Sequence, residues 1–174
     1  AAAGPLATAE RARRSMFLGV VPQDVIGQAA AALPEDRAPV REALASGLPC
    51  LGICLGMQLL CAHSEEGDTD CLGIIPQQVV RFRPRQGEKV PHMGWNAISD
   101  LKSELFTGVS ENEYVYFVHS FYTDARDRSC RYGYTDYGIR FKAVLEKGNI
   151  FGSQFHPEKS QQNGLKLLQN FAAL

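Results

Sequence analysis

Cys54 stands between two glycines in Gly52-Ile53-Cys54-Leu55-Gly56, after the apolar, turn-bounded run Gly47-Leu48-Pro49-Cys50-Leu51. Met57-Gln58-Leu59-Leu60 follows and reads as a helix. A reactive side chain at a strand-to-helix turn is the nucleophile-elbow arrangement, in which glycines allow the tight turn and close backbone approach. The positive end of the helix behind it favours thiolate over thiol. Alone, the pattern fits a buried structural cysteine in a parallel strand equally well.

The C-terminal third adds a second chemical group. Phe155-His156-Pro157-Glu158 sets a histidine and a carboxylate two residues apart, after the apolar run Ile150-Phe151-Gly152-Ser153-Gln154. A cysteine nucleophile needs a base to hold its proton and return it to the leaving group. That base needs a partner to fix its tautomer, a role open to Glu158. Taken singly, His156 reads as a surface-loop histidine. The elbow and the His-x-Glu pair together point to cysteine-based catalysis.

On these residues the chain resembles the class I (triad) glutamine amidotransferases. Pro91-His92-Met93-Gly94-Trp95-Asn96 and Tyr116-Phe117-Val118-His119-Ser120-Phe121-Tyr122 narrow the resemblance to the glutaminase subunits of imidazole glycerol phosphate synthases. It runs from Leu48 to Leu174. It implies glutamine hydrolysis through a thioester on Cys54, with His156 as acid and base and Glu158 orienting the ring, a Cys-His-Glu triad. It implies an oxyanion donor in the Leu55 amide and a substrate site that includes Gly56, Gln58, His119 and Ser120. Gln58 would bind the amino-acid end, and His119 and Ser120 would act mainly through backbone groups. For His119, a satisfied buried histidine is an equal reading. Trp95, Asn96, Tyr116 and Lys159 would face a partner, although a lone tryptophan also suits the core.

A partner follows from chemistry too. Ammonia released into neutral water becomes non-nucleophilic ammonium, so the product path must be sealed against a second protein. The resemblance implies a (β/α)₈-barrel cyclase in a heterodimer serving histidine biosynthesis. No metal or organic cofactor is suggested. The rivals are a glutaminase for another synthase (GMP, anthranilate or carbamoyl phosphate) and a non-catalytic binding subunit.

The chain reads as one amidotransferase domain over residues 1–174, with residues 1–46 departing from the family pattern. The family opens with a short strand and later carries a Pro-Gly-Val-Gly segment that lends an oxyanion donor. This chain opens Ala1-Ala2-Ala3-Gly4-Pro5, without a convincing first strand. Its nearest counterpart to the donor segment is Leu18-Gly19-Val20-Val21-Pro22, with proline after glycine. Residues 1–14 fit an amphipathic helix whose arginines form a solvated face.

The 174 residues suffice for one stable core. A net charge of −1 gives no reason to expect nucleic acid or an anionic membrane as partner. No apolar run of about 18 residues suggests a membrane helix, and no signal-peptide pattern is evident. Five cysteines without Cys-x-x-Cys or zinc spacing suggest reduced thiols and a cytoplasmic setting. Cys50 and Cys61 are expected in the core.

The elements needed to hold these groups are legible. Helices are expected from Asp24 to Leu33, from Pro39 to Ala45 before Gly47, from the elbow to about His63, and from Gln161 to Leu174 with Leu165, Leu168 and Phe171 on one face. Ser64 to Asp70 reads as a loop and Arg83 to Lys89 as a turn-rich link. Strands are expected over 79–83, 114–122, 131–134, 141–146 and 150–154, the last two joined as a hairpin by Lys147-Gly148-Asn149. Together they imply an α/β fold: an open, mixed, mostly parallel sheet with helices on both faces, flavodoxin-like by resemblance, with the reactive turn at the carboxyl end of its strand.

Overall fold

The computed structural model describes residues 37–83, 89–124 and 127–174, together with the backbone of 16–18. The helices expected over 1–14 and from Asp24 to Leu33, residues 19–22 of the donor segment and most of the 83–89 link lie outside the described residues. In chain order the strands are β1 (Met16–Leu18), β2 (Cys50–Ile53), β3 (His63–Ser64), β4 (Thr69–Asp70), β5 (Gln78–Arg81), β6 (His92–Ala97), β7 (Tyr114–His119), β8 (Phe121–Asp124), β9 (Arg131–Tyr137), β10 (Ile139–Lys147) and β11 (Ile150–Ser153). The helices are α1 (Ala38–Ala45), α2 (Leu55–Leu59) and α3 (Gln161–Ala172).

The larger sheet runs β1-β2-β11-β10-β8-β5-β3-β4, with β9 also on β10; β6 and β7 form a separate ladder. The α/β, mixed character agrees with the sequence reading. Its balance differs: β1/β2, β2/β11 and β3/β5 are parallel, and the other described pairings are antiparallel. Short turns cause this. Gly138 and residues 148–149 join β9, β10 and β11 directly, and tight turns can only link antiparallel neighbours. The hairpin expected around Gly148 is present.

Alternation along β2 and β11 distributes the helices to both faces. Leu51, Ile53 and Phe151 share a core with Leu167 and Phe171 of α3. Cys50 and Ile150 share another with Leu44 of α1 and with Met57 and Leu60 beside α2. Gly52 and Gly152 are register partners in adjacent strands. A Cβ on Gly152 would lie 2.7 Å from Met57 Cγ, so this glycine lets α2 seat against the sheet. Asn149 at the hairpin tip donates to the carbonyls of Leu44 (2.9 Å) and Leu48 (2.6 Å), fastening the end of α1.

Four expectations change in detail. The inward stripe of α3 is Gly164, Leu167 and Phe171, flanked by Leu168, and Leu165 is exposed. The elbow helix ends at Leu59 rather than near His63. Residues 64–70 are not a free loop: a tight turn over 65–68 joins β3 to β4, with His63 Nδ1 3.1 Å from Asp70 Oδ1 across the ladder. The strand expected over 114–122 is two strands broken at Ser120. There His119 Nδ1–H donates to Phe121 O (2.8 Å), and the Ser120 carbonyl accepts from Phe82 N–H (2.9 Å). The chain passes from the small ladder to the large sheet at this break. β1 (Met16–Leu18) pairs in parallel with the elbow strand, and the opening residues 1–5, where no first strand was expected, lie outside the described residues.

Candidate active site

Cys54 follows β2 directly and carries φ 52° and ψ −105°. A non-glycine residue there stores about 1–3 kcal/mol of backbone strain. The flanking glycines thus serve closeness rather than dihedral freedom. A Cβ on Gly52 would lie 2.7 Å from Gly56 C and O and from Met57 N. Backbone bonds fix the turn: Cys54 N–H donates to Ser153 O (2.6 Å), and Cys54 O accepts from Gln58 N–H (3.3 Å).

Cys54 Sγ lies 3.9 Å from Val118 O and accepts from Gln154 Nε2 at 3.6 Å. Burial pushes the thiol up to about 11, against opposing hydrogen bonds from the Leu55 amide and Gln154, and the Glu158 charge adds to the rise. The thiolate expected from the helix terminus is therefore not the resting form. Desolvation outweighs the field of a five-residue helix. Such a sulfur attacks only if a neighbour takes its proton.

The Glu158 charge that reaches the thiol belongs to the His156–Glu158 pair. His156 Nδ1 lies 2.7 Å from Glu158 Oε1. A carboxylate only accepts, so Nδ1 carries the hydrogen and Nε2 is left basic. His156 Nε2 is buried and has no hydrogen-bond partner among the described residues. A buried ring nitrogen is rarely left unsatisfied. The turn is held against β7 from both sides: His156 N–H donates to Tyr116 O (2.9 Å), Ser160 Oγ–H to His156 O (2.6 Å) and Tyr116 N–H to Ser160 Oγ (3.0 Å). A Cβ on Gly164 would sit 1.8 Å from Pro157 O, so α3 presses against the His156–Glu158 segment.

The remaining candidate residues divide. Gln58 is buried and donates through Nε2 to Phe121 O (3.0 Å) and Gln154 Oε1 (3.2 Å). Leu55 and Gly56 open α2 beside Cys54. His119 is a satisfied buried histidine, bonded at both ring nitrogens, and Ser120 is half-buried at the strand break. Trp95 is 46% exposed rather than in the core. Its ring meets Tyr116 edge-on at 5.9 Å, and Lys159 Nζ stands 5.9 Å over the same ring. Asn96 turns to the opposite side of β6, donating to Asp136 O (3.0 Å) and bonding His92 Nε2 (3.3 Å). Among the described residues no cluster of histidine, cysteine or carboxylate side chains could hold a metal ion, and no helix is long and apolar enough to cross a membrane.

Sequence reasoning assigned no role to Gln154, Ser160 or His92. Gln154 and Ser160 abut the His-Pro-Glu run, which was the signal available. Nothing in the sequence marks His92 as a neighbour of His119.

The comparisons with known proteins give the family. The class-I glutamine amidotransferase family profile matches residues 27–173. The imidazole glycerol phosphate synthase subunit HisH of Bacteroides fragilis is 54% identical over 127 residues, covering 72% of this chain and 64% of its own. The HisH of Natronomonas pharaonis is 42% identical over 183 residues, covering 93% and 84%. The chain thus spans a little under two thirds of the Bacteroides relative. A crystal structure of a glutamine amidotransferase superposes with a TM-score of 0.65 at 17% identity over 92% of this chain and 80% of its own, which speaks for the fold. By profile and by relatives, the chain belongs to the class-I glutamine amidotransferase family.

Proposed function

We propose that this chain hydrolyses glutamine to glutamate and ammonia, and that a cyclase partner uses the ammonia to form imidazole glycerol phosphate and AICAR in histidine biosynthesis. The carrying observation is an elbow cysteine within electrostatic reach of Glu158, the residue to which the His156 Nδ1 is committed while its buried Nε2 stays bare. His156 takes the Cys54 proton as sulfur attacks the carboxamide carbon, returns it to the departing ammonia, and then activates water to cleave the thioester. Glu158 keeps the ring in this tautomer. The Leu55 amide meets the oxyanion, and Gln58 Oε1, with backbone groups around Gly56, His119 and Ser120, receives the substrate's amino-acid end.

Residues 1–174 act as one domain in a cytoplasmic heterodimer. Trp95, Tyr116 and Lys159 supply the cyclase-facing surface, with Asn96 on the strand behind it. Met93 (60% exposed) and Tyr114 (59%) extend that apolar face, which borders a groove of about 410 Å³ lined by Trp95, Tyr114 and Asn163. The names of the HisH relatives favour this reading over another synthase. Glutamate release, measured for the chain alone and with a cyclase subunit, tests it. Cys54→Ser should abolish release while leaving the circular-dichroism spectrum unchanged. Release near the wild-type rate would exclude Cys54 as the nucleophile.

A further inference from the structure

A run of side chains leads from the outer ladder to the sulfur, and every proton position in it is fixed by its neighbours. His119 Nδ1 faces Phe121 O at 2.8 Å. A carbonyl only accepts, so Nδ1 carries the hydrogen. Burial pushes His119 down to about 3 and His92 down to about 4, so both rings are neutral near pH 7. His119 Nε2 is therefore bare and accepts from His92 Nδ1–H at 3.0 Å. His92 Nε2, bare in turn, accepts from Asn96 Nδ2 at 3.3 Å. Asn96 cannot be reversed, because Oδ1 accepts from Ala97 N–H (2.8 Å) while Nδ2 also donates to Asp136 O (3.0 Å). At the inner end Phe121 O also receives Gln58 Nε2, whose other hydrogen goes to Gln154 Oε1, and Gln154 Nε2 donates to Cys54 Sγ.

Resting on the glutaminase reading above, we propose that Asn96 and His92 are positioning residues for the glutamine site: a one-way hydrogen-bond relay, Asn96 to His92 to His119 to Phe121 O, fixes the carbonyl that aims the Gln58 carboxamide. The relay works by direction. Each member must donate inward, and one acceptor in a donor's place leaves two lone pairs opposed in a buried site. His92 is also a packing residue, its ring stacked on Phe117 (4.7 Å) and Tyr137 (4.0 Å). Phenylalanine can replace that stacking but not the donor. Asparagine at 92 restores a donor close to the Nδ1 position.

The test has two arms. Ring ¹⁵N shifts of the wild-type chain should show both histidines as neutral Nδ1–H tautomers. Asn96→Asp, which cannot donate, should drive His92 to the Nε2–H form. Kinetics with the cyclase should show His92→Phe raising KM for glutamine about tenfold, the usual scale for one orphaned buried acceptor, with a smaller change in kcat. His92→Asn should recover most of that loss. An Nε2–H tautomer at His119 in the wild type overturns the relay, as does a folded His92→Phe with wild-type KM. If His92→Phe does not fold, the tautomers and Asn96→Asp decide alone. Should the wild type release no glutamate, the glutaminase reading falls, and the ring tautomers still decide the relay.

Discussion

Cys54 is held by backbone-to-backbone bonds, whereas His92 and His119 are held by the bonds their own rings make. At the elbow, Ser153 O, Gln58 N–H and the near-contact of Gly52 with Gly56 fix the residue, and little of this depends on which atoms lie at position 54. In the β6–β7 ladder, alternation puts Trp95, Tyr114 and Tyr116 on one face and His92, Phe117 and His119 on the other. The inner face is ordered by matching donors to acceptors inside an aromatic core. The first region should therefore be sensitive to added volume, and the second to proton inventory.

The largest effect should fall on His156 and Glu158, the acid–base pair proposed to serve the elbow. His156→Ala is expected to lower kcat by about 10²–10⁴-fold, and Glu158→Ala by distinctly less, because the carboxylate only holds the ring and water can replace part of that bond. Steady-state glutamate release at matched folded fraction decides it; a worse Glu158 variant reverses the roles.

Volume is probed by two glycines. Gly52→Ala places a methyl 2.7 Å from backbone that cannot retreat and should cost about 3 kcal/mol or more. Gly94→Ala on β6 meets nothing within 4 Å and should cost only its left-handed backbone, φ +126°, about 1–2 kcal/mol. Equal urea midpoints for the two variants would erase the contrast.

Proton inventory is probed by pH. His92 and His119 have folded values depressed to about 4 and about 3 from an ordinary 6.5. Between those limits the unfolded chain binds more protons than the folded one. Stability is therefore full above about pH 6.5 and falls as pH drops toward 4, with His92 alone accounting for about 3 kcal/mol. Removing that histidine by His92→Phe should flatten the acid side of the stability profile; an unchanged slope would place the titration elsewhere.

The smallest effect belongs to the outer face. Trp95→Ala should change unfolding free energy by about 1 kcal/mol or less, and should weaken association with the cyclase by about 1–2 kcal/mol in calorimetry. The reverse ordering would make Trp95 a core residue.

What was legible in the sequence follows the same division. The elbow, the His156–Glu158 pair and the β10–β11 hairpin rest on neighbours a few residues apart, so their types and spacing announce them. The break at Ser120 was hidden, because Tyr114 to Tyr122 has uniform strand propensity. Only the bond from His119 to Phe121 O and the partner at Phe82 reveal it. The His92–His119 pair spans 27 positions and exists only through the β6–β7 register. The balance between burial and helix field at Cys54 also needed three dimensions: sequence supplies the helix but not the depth of the sulfur. On α3, periodicity gave the helix while a glycine claimed the contact stripe, so the apolar rows were assigned one step out of phase.

That glycine has a consequence for engineering this chain. Replacing a mid-helix glycine by alanine is a routine route to heat resistance, commonly gaining about 1 kcal/mol. At Gly164 the rule changes sign. The added methyl would land 1.8 Å from Pro157 O, and Pro157 lies between His156 and Glu158. The methyl could be accepted only if the helix and Pro157 moved apart, and displacing the proline would spoil the 2.7 Å bond that sets the histidine tautomer. Intrinsic helicity is given up at this position to set the distance between a scaffold and the His156–Glu158 pair. A thermostability library should leave 164 fixed and look for gains at neighbours such as the exposed Leu165.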